Sequence, residues 1–272
     1  MSALKYWIWL ATRRRLPVRQ TLRVLEQFST PEGAYAADPV EYKLVEGLSA
    51  VSAASFSDKF LDRAEEILAA CDHQGIRVLT IQDAEYPYCL RQIEDPPCVL
   101  YVKGKLPAFD DEAAIAMVGA RGATPYGLQI AAGMGMEMAR CGALIVSGSA
   151  RGVDSAALRG ALRGGGCVVS VLGNGPDVVY PAQNRDLYAD VAAVGALISE
   201  YPPGTNPAPE HFPVRNRILS GLSLGVVVVE GTERSGSLIT ARLALDQGRD
   251  VFAVPGNVDA PMSGGPNLLI RR

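Results

Sequence analysis

The chain has 272 residues, longer than the roughly 100–150 usual for one domain, so its length predicts a large α/β domain or a domain with a smaller partner. With 48% hydrophobic and 20% charged residues, disordered, collagen-like and low-complexity classes are excluded, and no apolar run approaches the roughly 18 residues of a membrane-spanning helix. The net charge of −3 divides into −4 over residues 1–112 and +1 over residues 113–272, where all 13 basic residues are arginines, the side chain whose planar fork suits phosphate.

At the N-terminus the apolar cluster Tyr6 to Leu10 precedes Arg13, Arg14 and Arg15, the reverse of a secretory signal, which predicts a cytoplasmic protein. Residues 1–75 read as a small helical module. Leu16, Leu22, Leu25 and Phe28 stand at near-helical spacing, and Ser57 or Asp58 is placed to cap a helix over Arg63 to Cys71. Around Gly47, the segment Tyr42 to Leu48 has the helix-Gly-helix turn of helix-hairpin-helix and sterile-alpha-motif-like (SAM-like) domains; a plain packing module fits it equally well. Cys71, Cys89, Cys98, Cys141 and Cys167 are odd in number and never spaced C-x-x-C, so they predict reduced, mostly buried thiols rather than a disulfide framework or a metal site. His73 and His211 are distant in sequence from each other and from any cysteine pair.

Residues 76–272 alternate apolar strands with helical stretches. The strands are Ile76 to Thr80, Cys98 to Val102, Ala114 to Val118, Ala143 to Ser147, Cys167 to Leu172, Ala196 to Ser199, Gly225 to Glu230 and Asp250 to Val254. This rhythm predicts an α/β fold: an extended Rossmann-like, doubly wound, mostly parallel sheet, lengthened at its N-terminal edge by the first two strands. Glycine follows the same division, with 24 of 28 after residue 113, and a compositional boundary falls near Asp110 to Glu112.

In such sheets ligands bind outside the carboxyl ends of the strands, and the segments there share one chemistry. They are Gly119 to Thr124, Ser147 to Asp154, Gly173 to Gly175 and Glu230 to Ser237, rich in small residues, hydroxyls and arginine. Glycine lets backbone N–H groups approach an anion, and the following helix N-terminus adds partial positive charge, so the inferred ligand carries phosphate. Gly133 and Gly135 lie inside the helix predicted over Tyr126 to Cys141, where close helix–sheet contact explains them better than a G-x-G-x-x-G fingerprint. No Walker-type G-x-x-x-x-G-K-[ST] is present. Beyond the five-proline loop Tyr201 to Pro213, Arg215-Asn216-Arg217 can hold successive phosphates, with His211 and Phe212 as a stacking surface. Replacing both arginines by Ala is expected to weaken binding while leaving the fold intact, and Arg121 and Arg151 are expected to face one pocket from two sides.

From Met117 to Ile270 the chain resembles the DNA-processing protein A (DprA/Smf) family. The resemblance is carried by V-G-A-R at Val118 to Arg121, S-G-S-A-R-G-V-D at Ser147 to Asp154, V-V-Y-P at Val178 to Pro181 and I-S-E at Ile198 to Glu200. It continues through F-P-V-R-N-R-I-L-S-G-L-S at Phe212 to Ser223, S-G-S-L-I-T-A at Ser235 to Ala241, V-P-G at Val254 to Gly256 and S-G-G-P-N-L-L-I at Ser263 to Ile270. It implies a cytoplasmic, homodimeric protein that binds single-stranded DNA taken up in natural transformation, protects it and helps load the RecA recombinase, without catalysis, cofactor, metal or membrane. Carried over by motif, the DNA-binding candidates are Arg121, Ser147, Gly148, Arg151, Gly152, Arg215, Asn216, Arg217, Ser235, Gly236, Ser237 and Thr240. Two departures stand out: Leu158 replaces the family's histidine, and the sequence stops at Arg271-Arg272, where the family often continues into a winged-helix-like domain. The alternative is a nucleotide-binding enzyme of the nucleoside-monophosphate phosphoribohydrolase type, whose P-G-G-x-G-T-x-x-E motif has only Glu230 to Gly236 as its counterpart here. A third reading, an interaction scaffold docking through residues 1–75, leaves the arginine loops as structure.

Overall fold

The computed structural model describes residues 3–13 and 16–271; Arg14, Arg15 and Arg272 of the sequence reading lie outside the described residues. The chain divides into two compact units, Met1–Tyr86 with Glu94–Leu100, and Pro87–Ile93 with Tyr101–Arg272.

The first unit contains helices α1 (Ala3–Ala11), α2 (Val18–Phe28), α3 (Pro31–Ala36), α4 (Ala50–Ser55) and α5 (Asp62–Gln74), then strand β1 (Ile76–Thr80). Its core is aromatic: Trp9, Tyr42 and Phe56 are fully buried, and the Tyr42 and Phe56 rings stack with centroids 4.4 Å apart. The Lys59 ammonium sits 4.9 Å from the Tyr42 centroid and donates to the Tyr42 hydroxyl; burial lowers the lysine's pKa and raises the tyrosine's to about 12. The turn at Gly47 joins a 3-10 turn, Glu41–Leu44, to α4, whose N-cap Ser49 accepts from the Ser52 N–H at 3.0 Å. Helix α5 departs from expectation at its start. Leu61 occupies the N-cap position, while Asp58 accepts from the Phe60 N–H at 3.0 Å and pairs with Arg13, and the Ser57 hydroxyl donates to the Ala54 carbonyl. Local turn bonds compete with the cap and win.

The second unit contains α6 (Tyr88–Arg91) and most of the sheet. Strand β2 (Val99–Gly104) begins in the first unit, and β3 (Ala114–Val118), α7 (Pro125–Arg140), β4 (Leu144–Ser147), α8 (Val153–Arg163), β5 (Val168–Leu172) and α9 (Arg185–Val194) follow. Then come β6 (Ala196–Ser199), α10 (His211–Gly221), β7 (Gly225–Val228), α11 (Gly236–Asp246), β8 (Asp250–Ala253) and α12 (Gly264–Ile270). The strand order is β1-β2-β6-β5-β4-β3-β7-β8, and every pairing from β6 to β8 is parallel, while β2 lies antiparallel to β6. Strands β4 to β7 are buried at every residue, as strands covered by helices on both faces must be.

The order reverses between β3 and β7, which are paired with Ala116 opposite Val226. At that switch point the loops leaving adjacent strands turn to opposite faces and open a crevice. Right-handed crossovers place α7, α8 and α9 on one face and α10 and α11 on the other. Helices α7 and α8 cross with backbones nearly touching: a Cβ on Gly135 would stand 2.4 Å from the Ala157 carbonyl oxygen, and one on Gly160 2.1 Å from that of Ala132. Gly135 therefore serves helix–helix contact rather than the helix–sheet contact read from sequence, and Gly133 faces open space. The five cysteines are free thiols, but Cys141 is exposed and Cys89 and Cys167 half-buried, so only Cys71 and Cys98 are buried as expected. Among the described residues no helix is long and apolar enough to cross a membrane, and no His/Cys/Asp/Glu group has metal-binding geometry.

Candidate nucleic-acid interface

At the carboxyl end of β3, Gly119 to Thr124 leads into α7. Thr124 is its N-cap, accepting from the Gly127 N–H at 3.3 Å, and directs its own N–H and hydroxyl to the Glu230 carboxylate at 2.8 and 2.7 Å. Glu230, at the end of β7, is 4% exposed. A carboxylate of the chain thus occupies the helix N-terminus that the sequence reading offered to an external phosphate.

The next loop repeats the arrangement. The Asp154 carboxylate, buried in the first turn of α8, accepts from the Gly148 N–H at 3.2 Å, and the Ser147 hydroxyl turns inward to the Met117 carbonyl at 2.6 Å. Burial pushes the Asp154 carboxyl upward, and the neighbouring Arg215 guanidinium pulls it back. Gly152, at φ 78°, is held where a Cβ would meet the Ala120 carbonyl oxygen at 2.2 Å, so glycine is required there. Its role is to let two strand-end loops pass close together.

The arginines separate into two kinds. Arg215 is 5% exposed and donates to the carbonyls of Gly148, at 3.1 Å, and Val171; a Cβ on Gly148 would stand 2.4 Å from its terminal nitrogens. Arg217, 4% exposed, makes a two-pronged ion pair with Glu200 at 2.9 and 2.7 Å. Both lie within α10 and act as internal struts, which corrects the expectation that they contribute to binding without contributing to the fold. Arg121 and Arg151 are exposed instead. The Arg121 guanidinium lies over the Phe212 ring, 5.0 Å from its centroid, and Arg151 has no hydrogen bond or ion pair among the described residues.

Arg121 and Arg215 border a cavity of about 540 Å³ at the β3/β7 switch point. Its walls include Arg121, Asp154, Tyr180, Phe212, Arg215, Asn216 and the first turn of α11, with Ser235, Gly236, Ser237 and Thr240. Ser235 caps α11 by accepting from the Ser237 N–H at 3.4 Å, Gly236 is exposed, and none of the described carboxylates accepts from this first turn. A smaller cavity holds Arg121 and Arg151 together with Gly148, Tyr180 and Phe212, so the two exposed arginines share one recess. Tyr180 and Phe212 stack loosely at 5.6 Å, whereas His211 stacks on Tyr201 at 4.0 Å and its Nδ1 contacts the Gly173 carbonyl at 2.9 Å. Of the predicted stacking pair, Phe212 lines the cleft and His211 is engaged with Tyr201. Ser147, Gly152 and Arg217 line neither cavity.

Residues 77–272 match the sequence profile of DNA recombination-mediator protein A. The chain belongs to this DprA/Smf family. It is 43% identical to the DNA processing protein DprA of Bacillus subtilis over 79% of its own length and 72% of that protein's, and 35% identical to DprA of Streptococcus pneumoniae over 100% and 94%. The crystal structure of S. pneumoniae DprA superposes with a TM-score of 0.85 at 33% identity, covering 100% of this chain and 93% of that one. A Helicobacter pylori DprA structure, described for its single-stranded DNA binding mode, superposes with a TM-score of 0.66 at 31% identity, covering 73% and 89%.

Within the DprA/Smf fold, two residues of the cleft, Asp154 and Tyr180, and two carboxylates outside it, Glu230 and Glu200, escaped the sequence reading as site components. Glu230, Asp154 and Glu200 stand inside the quoted motifs, but a strand-end carboxylate signals equally a metal ligand, a base or a cap. Tyr180 stood in V-V-Y-P, yet only packing brings it beside Phe212.

Proposed function

We propose that this DprA/Smf protein binds single-stranded DNA in the switch-point cleft through backbone phosphates, as a homodimer in the cytoplasm, and that it protects incoming DNA in natural transformation and helps load RecA. The observation that carries the reading is the pair of exposed arginines without a carboxylate ion pair, Arg121 and Arg151, beside an aromatic wall of Tyr180 and Phe212. Guanidinium forks suit phosphate, and the exposed Tyr180 ring suits an unstacked base, which a duplex does not present. The N-terminal end of α11, with Ser235, Gly236, Ser237 and Thr240, adds neutral donors, while Gly148, Arg215 and Asn216 complete the lining and Gly152 lets the loops behind it pass close together. The single-stranded DNA binding mode described for the H. pylori relative supports the same ligand class.

The enzyme reading is less well supported. A phosphoribohydrolase needs a carboxylate presented to the substrate, and Glu230 and Asp154 are both buried and spend oxygens on the chain's own donors. Fluorescence anisotropy with labelled single- and double-stranded oligonucleotides tests the proposal. Preference for the single strand, independent of sequence, is expected; base release from nucleoside monophosphates well above background, without DNA binding, would overturn it.

A further inference from the structure

We propose that the groove between α7 and α8 continues the DNA path beyond the cleft, with Arg163 as its far phosphate donor; this rests on the single-stranded DNA reading above. The groove shares Arg121 and Arg151 with the smaller cavity of the cleft, so a strand held there by both arginines meets the groove directly. Its floor is set by the glycine-mediated crossing of the two helices. Because the backbones nearly touch at Gly135 and Gly160, small side chains such as Ala132 and Ala156 lie low between taller flanking ones. A shallow apolar floor beside an arginine-bearing wall suits a single strand, whose bases offer flat apolar faces and whose backbone is anionic.

The spacing of the wall residues follows from helix geometry. Arg151, Ser155, Arg159 and Arg163 recur every four residues, and within α8 each such step advances about 6 Å along one face, comparable with the interval between phosphates of an extended strand. The carboxylates of this region converge on one arginine. Asp186 grips Arg159 in a two-pronged pair at 2.9 and 2.9 Å, and Asp190 adds to the negative field on the same guanidinium. Arg151 and Arg163 are exposed with no partner among the described residues, so the groove offers unneutralised cations at its two ends. An arginine in the last turn of a helix also favours the helix dipole, a structural role that predicts no effect on DNA.

Oligothymidylates of about 5 and about 16 nucleotides separate these roles, the shorter filling only the cleft. Arg163→Ala is expected to weaken the longer strand about three- to tenfold, reduce its salt slope by about one and leave the shorter strand unchanged. Arg163→Glu should weaken the longer strand further, and Arg242→Ala, changing an exposed arginine on α11, should do neither. Equal affinity of wild type and both Arg163 variants for the longer strand, with melting temperatures unchanged, would overturn the groove while leaving the cleft intact. If the unaltered protein binds neither oligonucleotide, the DNA reading falls and the groove with it.

Discussion

Arg121 and Arg151 differ from Arg215 and Arg217 in what already holds them, and that difference sets their expected behaviour. Replacing Arg121 by Lys keeps the charge but loses the fork and the stacking on Phe212, so oligonucleotide affinity should fall appreciably. Arg151→Lys should be milder, because no ring or carboxylate among the described residues fixes that guanidinium. Titration of both variants at one salt concentration checks the order, and wild-type affinity for both would remove these arginines from the interface. Arg217→Ala strands Glu200 in a half-buried position and should cost about 3 kcal/mol, seen as a lower urea midpoint. An unchanged midpoint would refute its role as a strut. The R-N-R motif was visible in sequence, but that both its arginines turn inward is decided by carbonyls of the β4 loop and β5 and by the Glu200 carboxylate just past β6.

At the scale of elements, the α7–α8 crossing makes opposite predictions for neighbouring glycines. Gly160→Ala drives a methyl into the Ala132 carbonyl and should destabilise by about 1–3 kcal/mol. Gly133→Ala meets nothing and should stabilise by up to about 1 kcal/mol through helix propensity. Denaturation of the pair is the check; a loss at Gly133 equal to that at Gly160 would contradict the crossing geometry. The link between α8 and α9 is electrostatic. Arg159 holds the Asp186 carboxyl down to about 2, so this group's contribution to stability is present above the ordinary carboxylate range and is lost as pH falls through about 2. In Arg159→Ala the Asp186 titration, followed by carboxyl carbon NMR, should move up towards the ordinary range, the backbone N–H donors at the start of α9 still holding it somewhat low. No movement would show that the ion pair does not form in solution.

For the molecule as a whole, the near-neutral second half makes the attraction for DNA local. Affinity should fall with salt along a slope that counts only a few phosphates per subunit, and a salt-insensitive affinity would argue against the cleft. The sequence by itself determined the eight strands, because a short, mainly apolar run bounded by polar or glycine-rich breaks is a signal contained in the run. Strands β1, β3 and β6 begin and end where the pattern placed them. It likewise determined that the strand-end loops carry the polar chemistry, since glycine, serine and arginine recur there and almost nowhere else together. Only the tertiary structure decided how that chemistry is shared out. Glu230 fills the N-terminus of α7 and Asp154 the loop before α8, whereas Arg121 and Arg151 stay exposed without an ion pair, because a buried charge must find its partner among residues brought close by folding, and 106 positions separate Thr124 from Glu230. Local patterns carry no information about such pairs; the strand order, reversing between β3 and β7, creates them.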